Sequence, residues 1–243
     1  MKGGVLIIGS LFWQDDLKIG KHDEIRKKWR RKHLLMDDKV LVKTSNRYGR
    51  FSQKDDIFTM VFSTECINRK CGTAFIVPLN TYCDTYQTIE TEADALAHAE
   101  GMKGKFIAKT SDGEIWSVLS YLSNPALPKE QQTLLANGWK ARLQLEGGYT
   151  TSDFRLGTEK PCIDKNGKLN VRWPVAVDLK LKEVVDSYDF LIATATKPTL
   201  YPSVKNHVTK ILTDKKREYF LNNYKEGITT YQDAAIIKKL PGN

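Results

Sequence analysis

The stretch 4-GVLIIGSLFW-13 decides how the chain is read. Gly4–Ile8 is an unbroken apolar run, the pattern of a strand buried on both faces. Gly9-Ser10 ends it. Only Lys2 precedes the run, and no clean small-residue cleavage site follows, so a first core strand is expected rather than a secretion signal. A glycine-containing turn at a strand end exposes successive backbone N–H groups. Such a nest binds carboxylate or phosphate without a charged side chain. Gly9, Ser10 and Leu11 are therefore a candidate anion cradle.

Working outward, the 243 residues suit one large domain or two small ones, and are enough to bury a proper core. No apolar run approaches the length of a membrane span, so no membrane association is expected. The four cysteines, Cys66, Cys71, Cys83 and Cys162, are irregularly spaced. Cys66 and Cys71 lack the two-residue gap and the second pair of a zinc ribbon, so reduced thiols in a cytoplasmic protein are expected, with no metal. The net charge of +9 permits acidic partners, nucleic acid or small anions.

Strands are expected at 39-KVLVKTS-45, 57-IFTMVFS-63 and 72-GTAFIVPLN-80, the last two as a hairpin-connected antiparallel pair, with 46-NRYGRFSQKDD-56 as a loop. Two further strands, 105-KFIAKT-110 and 114-EIWSVLSYL-122, flank the turn Ser111-Asp112-Gly113. Prolines and Gly147-Gly148 punctuate 123–186, which reads as an insertion or subdomain within a single domain of 1–243. Strand character returns at 188-YDFLIATATKP-198, and helical patterning follows over 203–224 and 229–240. The expected fold class is α+β: a small mixed, mostly antiparallel β-barrel with flanking helices, plus the insertion.

The stretch 94-DALAHAEGMKGKF-106 carries the second candidate site. Thr91 and Asp94 resemble a capping box that would open a helix, and Gly101 sits where a left-handed residue ends one. On that helix Ala93, Leu96, Ala97 and Glu100 share one face. Leu96 should turn the face inward, taking Glu100 with it. Burial and the helix C-terminus both disfavour a carboxylate anion there, which suits a general acid or base. The alternative is a frayed end with Glu100 in solvent.

Strand–Gly-Ser-Leu, then GTAFIVPLN, then Leu96-Ala97-His98-Ala99-Glu100-Gly101 with Phe106 opening the next strand, resemble the gamma-glutamylcyclotransferase superfamily in order and approximate spacing over roughly residues 4–122. The chain departs from that pattern at Ile8 and Phe106, where the family tends to place an aromatic and a tyrosine. The resemblance implies Gly9, Ser10 and Leu11 as the substrate cradle and Glu100 as the catalytic acid/base. It implies a small gamma-glutamyl amine or related amide as substrate and no cofactor, since folding the substrate onto itself supplies much of the acceleration. It also places Tyr201, in Tyr201-Pro202-Ser203, at the pocket.

Arg47 and Arg50 flank Tyr48-Gly49. Arginine binds carboxylate or phosphate bidentately, so this loop is a candidate for an anionic substrate group, or else a charged hairpin tip. The cluster 26-RKKWRRK-32 supports a second function class. An aromatic within basic residues can stack on a base while its neighbours contact phosphates, making a module for nucleic acid or an anionic nucleotide. The alternative is a solvated helix face with Trp29 packed inward.

Overall fold

The computed structural model describes residues 1–17, 22–52, 57–66, 71–200 and 214–240, the side chains of 214–216 excepted. The apolar run becomes β1 (Gly3–Ile7), every residue of it buried. It lies inside a seven-stranded sheet with β2 (Val40–Thr44), β5 (Gly72–Pro78), β6 (Ile107–Lys109), β7 (Ile115–Ser123), β8 (Val175–Ala176) and β9 (Phe190–Thr196), in the order β6-β7-β9-β1-β5-β2-β8. All neighbours are antiparallel except β1 and β9, which run parallel with Gly3 opposite Phe190. Central placement explains why β1 needs no polar alternation: it has neighbours on both edges and packed layers on both faces.

The expected closed barrel is not formed. The sheet is open, with the three-residue β6 and the two-residue β8 at its edges. Short edges of this kind offer few unpaired backbone groups to another strand. The strands counted toward closure pair elsewhere. Asn46–Ser52, expected as a loop, is β3, and it forms a separate antiparallel ribbon with β4 (Ile57–Phe62). The expected pairing of β4 with β5 is therefore absent, and β5 sits between β1 and β2. Adjacent apolar strands are a good hairpin signal only when nothing nearer competes, and Asn46–Ser52 competes.

Six α-helices cover the sheet among the described residues: α1 (Ile25–His33), α2 (Tyr86–Ala99), α3 (Lys129–Leu145), α4 (Lys182–Asp186), α5 (Asp214–Lys225) and α6 (Asp233–Ile237). None is long and apolar enough to cross a membrane. Helix α2 starts earlier than Thr91 suggests. Thr85 caps it, accepting from Thr88 N–H at 3.3 Å, while Thr91 lies inside and donates to Gln87 O. Its C-terminal end is as expected, with Gly101 at φ +77°.

One core unites the elements. Ala93, Leu96 and Ala97 of α2 are fully buried, as are Trp139 of α3 and Ile163 within 123–186. Trp139 Nε1 donates to Leu119 O at 2.9 Å, tying α3 to β7. Near the C-terminal end, Asp233 accepts from Thr230 N–H at 3.0 Å through Oδ1, while its buried Oδ2 has no partner among the described residues. Burial pushes that carboxyl up to about 6, against the Thr230 hydrogen bonds.

Candidate functional site

The chain leaving β1 coils into a single turn. Phe12 N–H donates to Gly9 O at 3.0 Å and Gln14 N–H to Ser10 O at 2.8 Å. The first N–H groups of such a turn have no carbonyl behind them. Leu11 N–H has no hydrogen-bond partner among the described residues. Tyr219 of α5 lies directly over Gly9. A Cβ on Gly9 would sit 2.5 Å from the phenol oxygen, so only glycine admits this approach. Burial pushes the Tyr219 phenol above its ordinary value; Asn223, the Met60 and Ser10 backbone and the Arg26 charge act against it.

Glu100 ends α2 beside this turn. Its own N–H continues the helix to Leu96 O at 3.0 Å, and its side chain is turned to Arg26. Arg26 is buried at the start of α1. Its Nη2 donates to Glu100 Oε2 at 3.2 Å, its Nη1 to Ser10 Oγ at 2.9 Å and its Nε to Ala99 O at 3.2 Å. One guanidinium thus joins the turn after β1 to the end of α2. Glu100 Oε1 carries no hydrogen bond among the described residues.

Arg30, one helical turn on, braces the same segment from outside. Its Nη1 donates to Leu11 O and Gln14 O, both at 2.8 Å, and its Nη2 pairs with Asp15. The helix therefore turns Arg26, Trp29 and Arg30 inward, since positions three and four apart share a face. The expected inward Trp29 is found, but the face it shares with the two arginines is not solvated.

Gly9, Ser10, Leu11, Arg26, Glu100 and Tyr219 line one cavity of about 1200 Å³. The β3–β4 ribbon and the β7–β9 pair also line it, with Arg50, Thr59, Trp116, Thr194 and Thr196. Phe106 does not fill it: its ring packs 4.9 Å from Trp139. Trp13 is engaged elsewhere, donating to Asn223 Oδ1 at 2.7 Å.

Arg47 is not part of this lining. It is completely buried and forks onto Glu159, Nε to Oε1 at 3.1 Å and Nη2 to Oε2 at 3.0 Å, with Nη1 on Leu200 O at 2.9 Å. Ser63 donates to the same carboxylate. A cation so fully paired has no edge left for a substrate, which corrects the joint reading of Arg47 and Arg50. Tyr201 lies outside the described residues. Sequence reasoning missed Arg26 and Tyr219. The signal for Arg26 was the spacing of Arg26, Trp29 and Arg30 within the basic cluster; Tyr219 gave none. No family model, curated protein or solved structure matches the chain.

Proposed function

We propose that this cavity is the active site of a gamma-glutamylcyclotransferase-like enzyme acting on a small gamma-glutamyl amine or related amide. The observation that carries the proposal is the meeting of the Gly9–Leu11 turn and Glu100 on one cavity, joined by Arg26. In this reading Leu11 N–H, the uncommitted donor of the turn, holds an oxyanion of the substrate. The substrate's α-amine attacks its own γ-carbonyl carbon, and the bond from that carbon to the departing amine breaks. Glu100 takes the proton from the attacking amine and returns it to the departing one through the uncommitted Oε1. The products are 5-oxoproline and the free amine. Arg26 holds Oε2, so the carboxylate keeps one orientation.

The test is turnover of a panel of gamma-glutamyl amines by wild type and Glu100→Gln. A positioned proton carrier contributes roughly 100-fold or more, so the variant should lose at least that much. Equal rates in the two proteins would overturn the mechanism; no turnover of any panel member would overturn the substrate class.

The competing reading, a nucleic-acid module built on 26-RKKWRRK-32, loses support from the geometry. Trp29 is buried and unavailable for stacking, and Arg26 and Arg30 are spent on internal contacts. Salt-dependent binding of single-stranded oligonucleotides at low ionic strength would restore it.

A further inference from the structure

Arg50 faces the same cavity from β3, and its environment is unlike that of Arg47. Its guanidinium lies over the Trp116 ring, 5.9 Å from the centroid, and Nη1 donates to Lys197 O at 3.0 Å. Among the described residues, Nε and Nη2 donate to nothing, and Arg50 is in no ion pair. Among the described residues Glu114 acts on it, and the Glu114 carboxylate is held by Lys197 Nζ at 2.7 Å. Burial lowers the pKa of Arg50, with Glu114 acting against it. A half-buried guanidinium with its Nε–Nη2 edge open is shaped for bidentate contact with an oxyanion.

Two further features of the same cavity agree. Among the described residues buried Thr194 Oγ1 has no hydrogen-bond partner, and Thr194 lines the cavity. A buried hydroxyl left unpaired costs free energy that a bound acceptor or donor would recover. Lys109 also lines the cavity and is in no ion pair among the described residues. Arg26, by contrast, is neutralised by Glu100. Among the described lining residues, Arg50 and Lys109 are thus the cations without a carboxylate partner.

We propose that the Arg50–Trp116 wall is a binding site for an oxyanion, a phosphate or a carboxylate carried by the cavity's ligand, taken by the open Nε–Nη2 edge of Arg50 with Thr194 and Lys109 contributing. Trp116 fixes the plane of the guanidinium, so the edge is presented before the ligand arrives. The site goes beyond the chemistry at Glu100 and does not depend on it, because binding here requires no turnover.

The experiment is thermal unfolding with added inorganic phosphate or glutarate, each compared with sodium chloride at equal ionic strength. A ligand that binds only the folded chain raises Tm by mass action. At least one of the two anions should raise the wild-type Tm above the chloride control. Phosphate alone doing so assigns a phosphorylated ligand, and glutarate alone a carboxylate. Arg50→Gln should weaken the apparent affinity roughly tenfold or more, the worth of a charge-assisted hydrogen bond. Arg50→Lys, which keeps charge but loses the fork, should fall between. Thr194→Val, nearly the same shape, should weaken binding without unfolding the chain. No rise with either anion overturns the proposal. So does a rise that is unchanged in Arg50→Gln or, should that variant not fold, unchanged in both Arg50→Lys and Thr194→Val.

Discussion

Arg26 Nη2 stands 3.2 Å from Glu100 Oε2 across 74 residues of sequence, and the same guanidinium holds Ser10 Oγ. Replacing it with glutamine leaves a mostly buried carboxylate without its cation. Arg26→Gln should cost about 1–3 kcal/mol of stability, measured by urea denaturation. The loss should shrink in the Arg26→Gln/Glu100→Gln double variant, because the charge left behind is removed as well. Strictly additive losses would show that the pair is not coupled.

The Arg47–Glu159 pair is buried far more completely, so it should respond more strongly. Arg47→Met alone strands a carboxylate in the core and should cost about 3–5 kcal/mol. It should leave the anion-induced Tm shift unaltered, since Arg47 does not reach the cavity. A shift abolished in a folded Arg47→Met protein would contradict that separation.

Gly9→Ala drives a methyl to 2.5 Å from the Tyr219 phenol oxygen, while the next Tyr219 atom is 3.6 Å away. The cost should be about 1–3 kcal/mol. Tyr219→Phe removes only the offending oxygen, so Gly9→Ala should be milder in that background. The comparison is the difference in denaturation midpoint between the two backgrounds. An equal penalty in both would place the strain elsewhere.

Asp233 supplies a pH dependence. Its folded carboxyl titrates at about 6, above the ordinary 3.8, so the folded chain holds the proton more tightly than the unfolded chain. The stability from that proton is fully present below about 3.8 and is lost as pH rises through about 6. Asp233→Asn keeps an oxygen to accept from Thr230 but cannot ionise. Relative to wild type it should gain on the order of 2 kcal/mol between pH 4 and pH 7.5, read from denaturant unfolding at both values. A constant difference across that range would remove Asp233 as the source.

The sequence made local periodicity legible and left pairing partners obscure. β1, β7, β9 and the end of α2 were readable because apolar runs, alternation and Gly101 are local signals. The ribbon of β3 and β4 was missed because 46-NRYGRFS-52 carries charge and glycine, and its strand character comes from β4, Leu200 and Glu159. Helix phase made Glu100 a candidate and left a solvated end as the alternative; the ordered motifs around it favoured the inward one. The partner of Glu100 was hidden because the spacing of Arg26, Trp29 and Arg30 shows that the helix has an inward face, not what that face meets. Arg47 and Arg50 look equivalent as text. Burial by distant segments makes one an internal ion pair and leaves the other open.

The parallel match of Gly3–Val5 with Phe190–Ile192 has a consequence for synthesis. The strand that supports the Gly9 turn is made well before its parallel partner β9. Arg26 and Glu100 can meet earlier, but Tyr219 reaches Gly9 only after β9 has been made. Until then an apolar strand waits with one edge unpaired, a state open to association with other chains. A polypeptide halted before residue 190 should therefore be prone to aggregate, because β9 is what closes the open edge of β1.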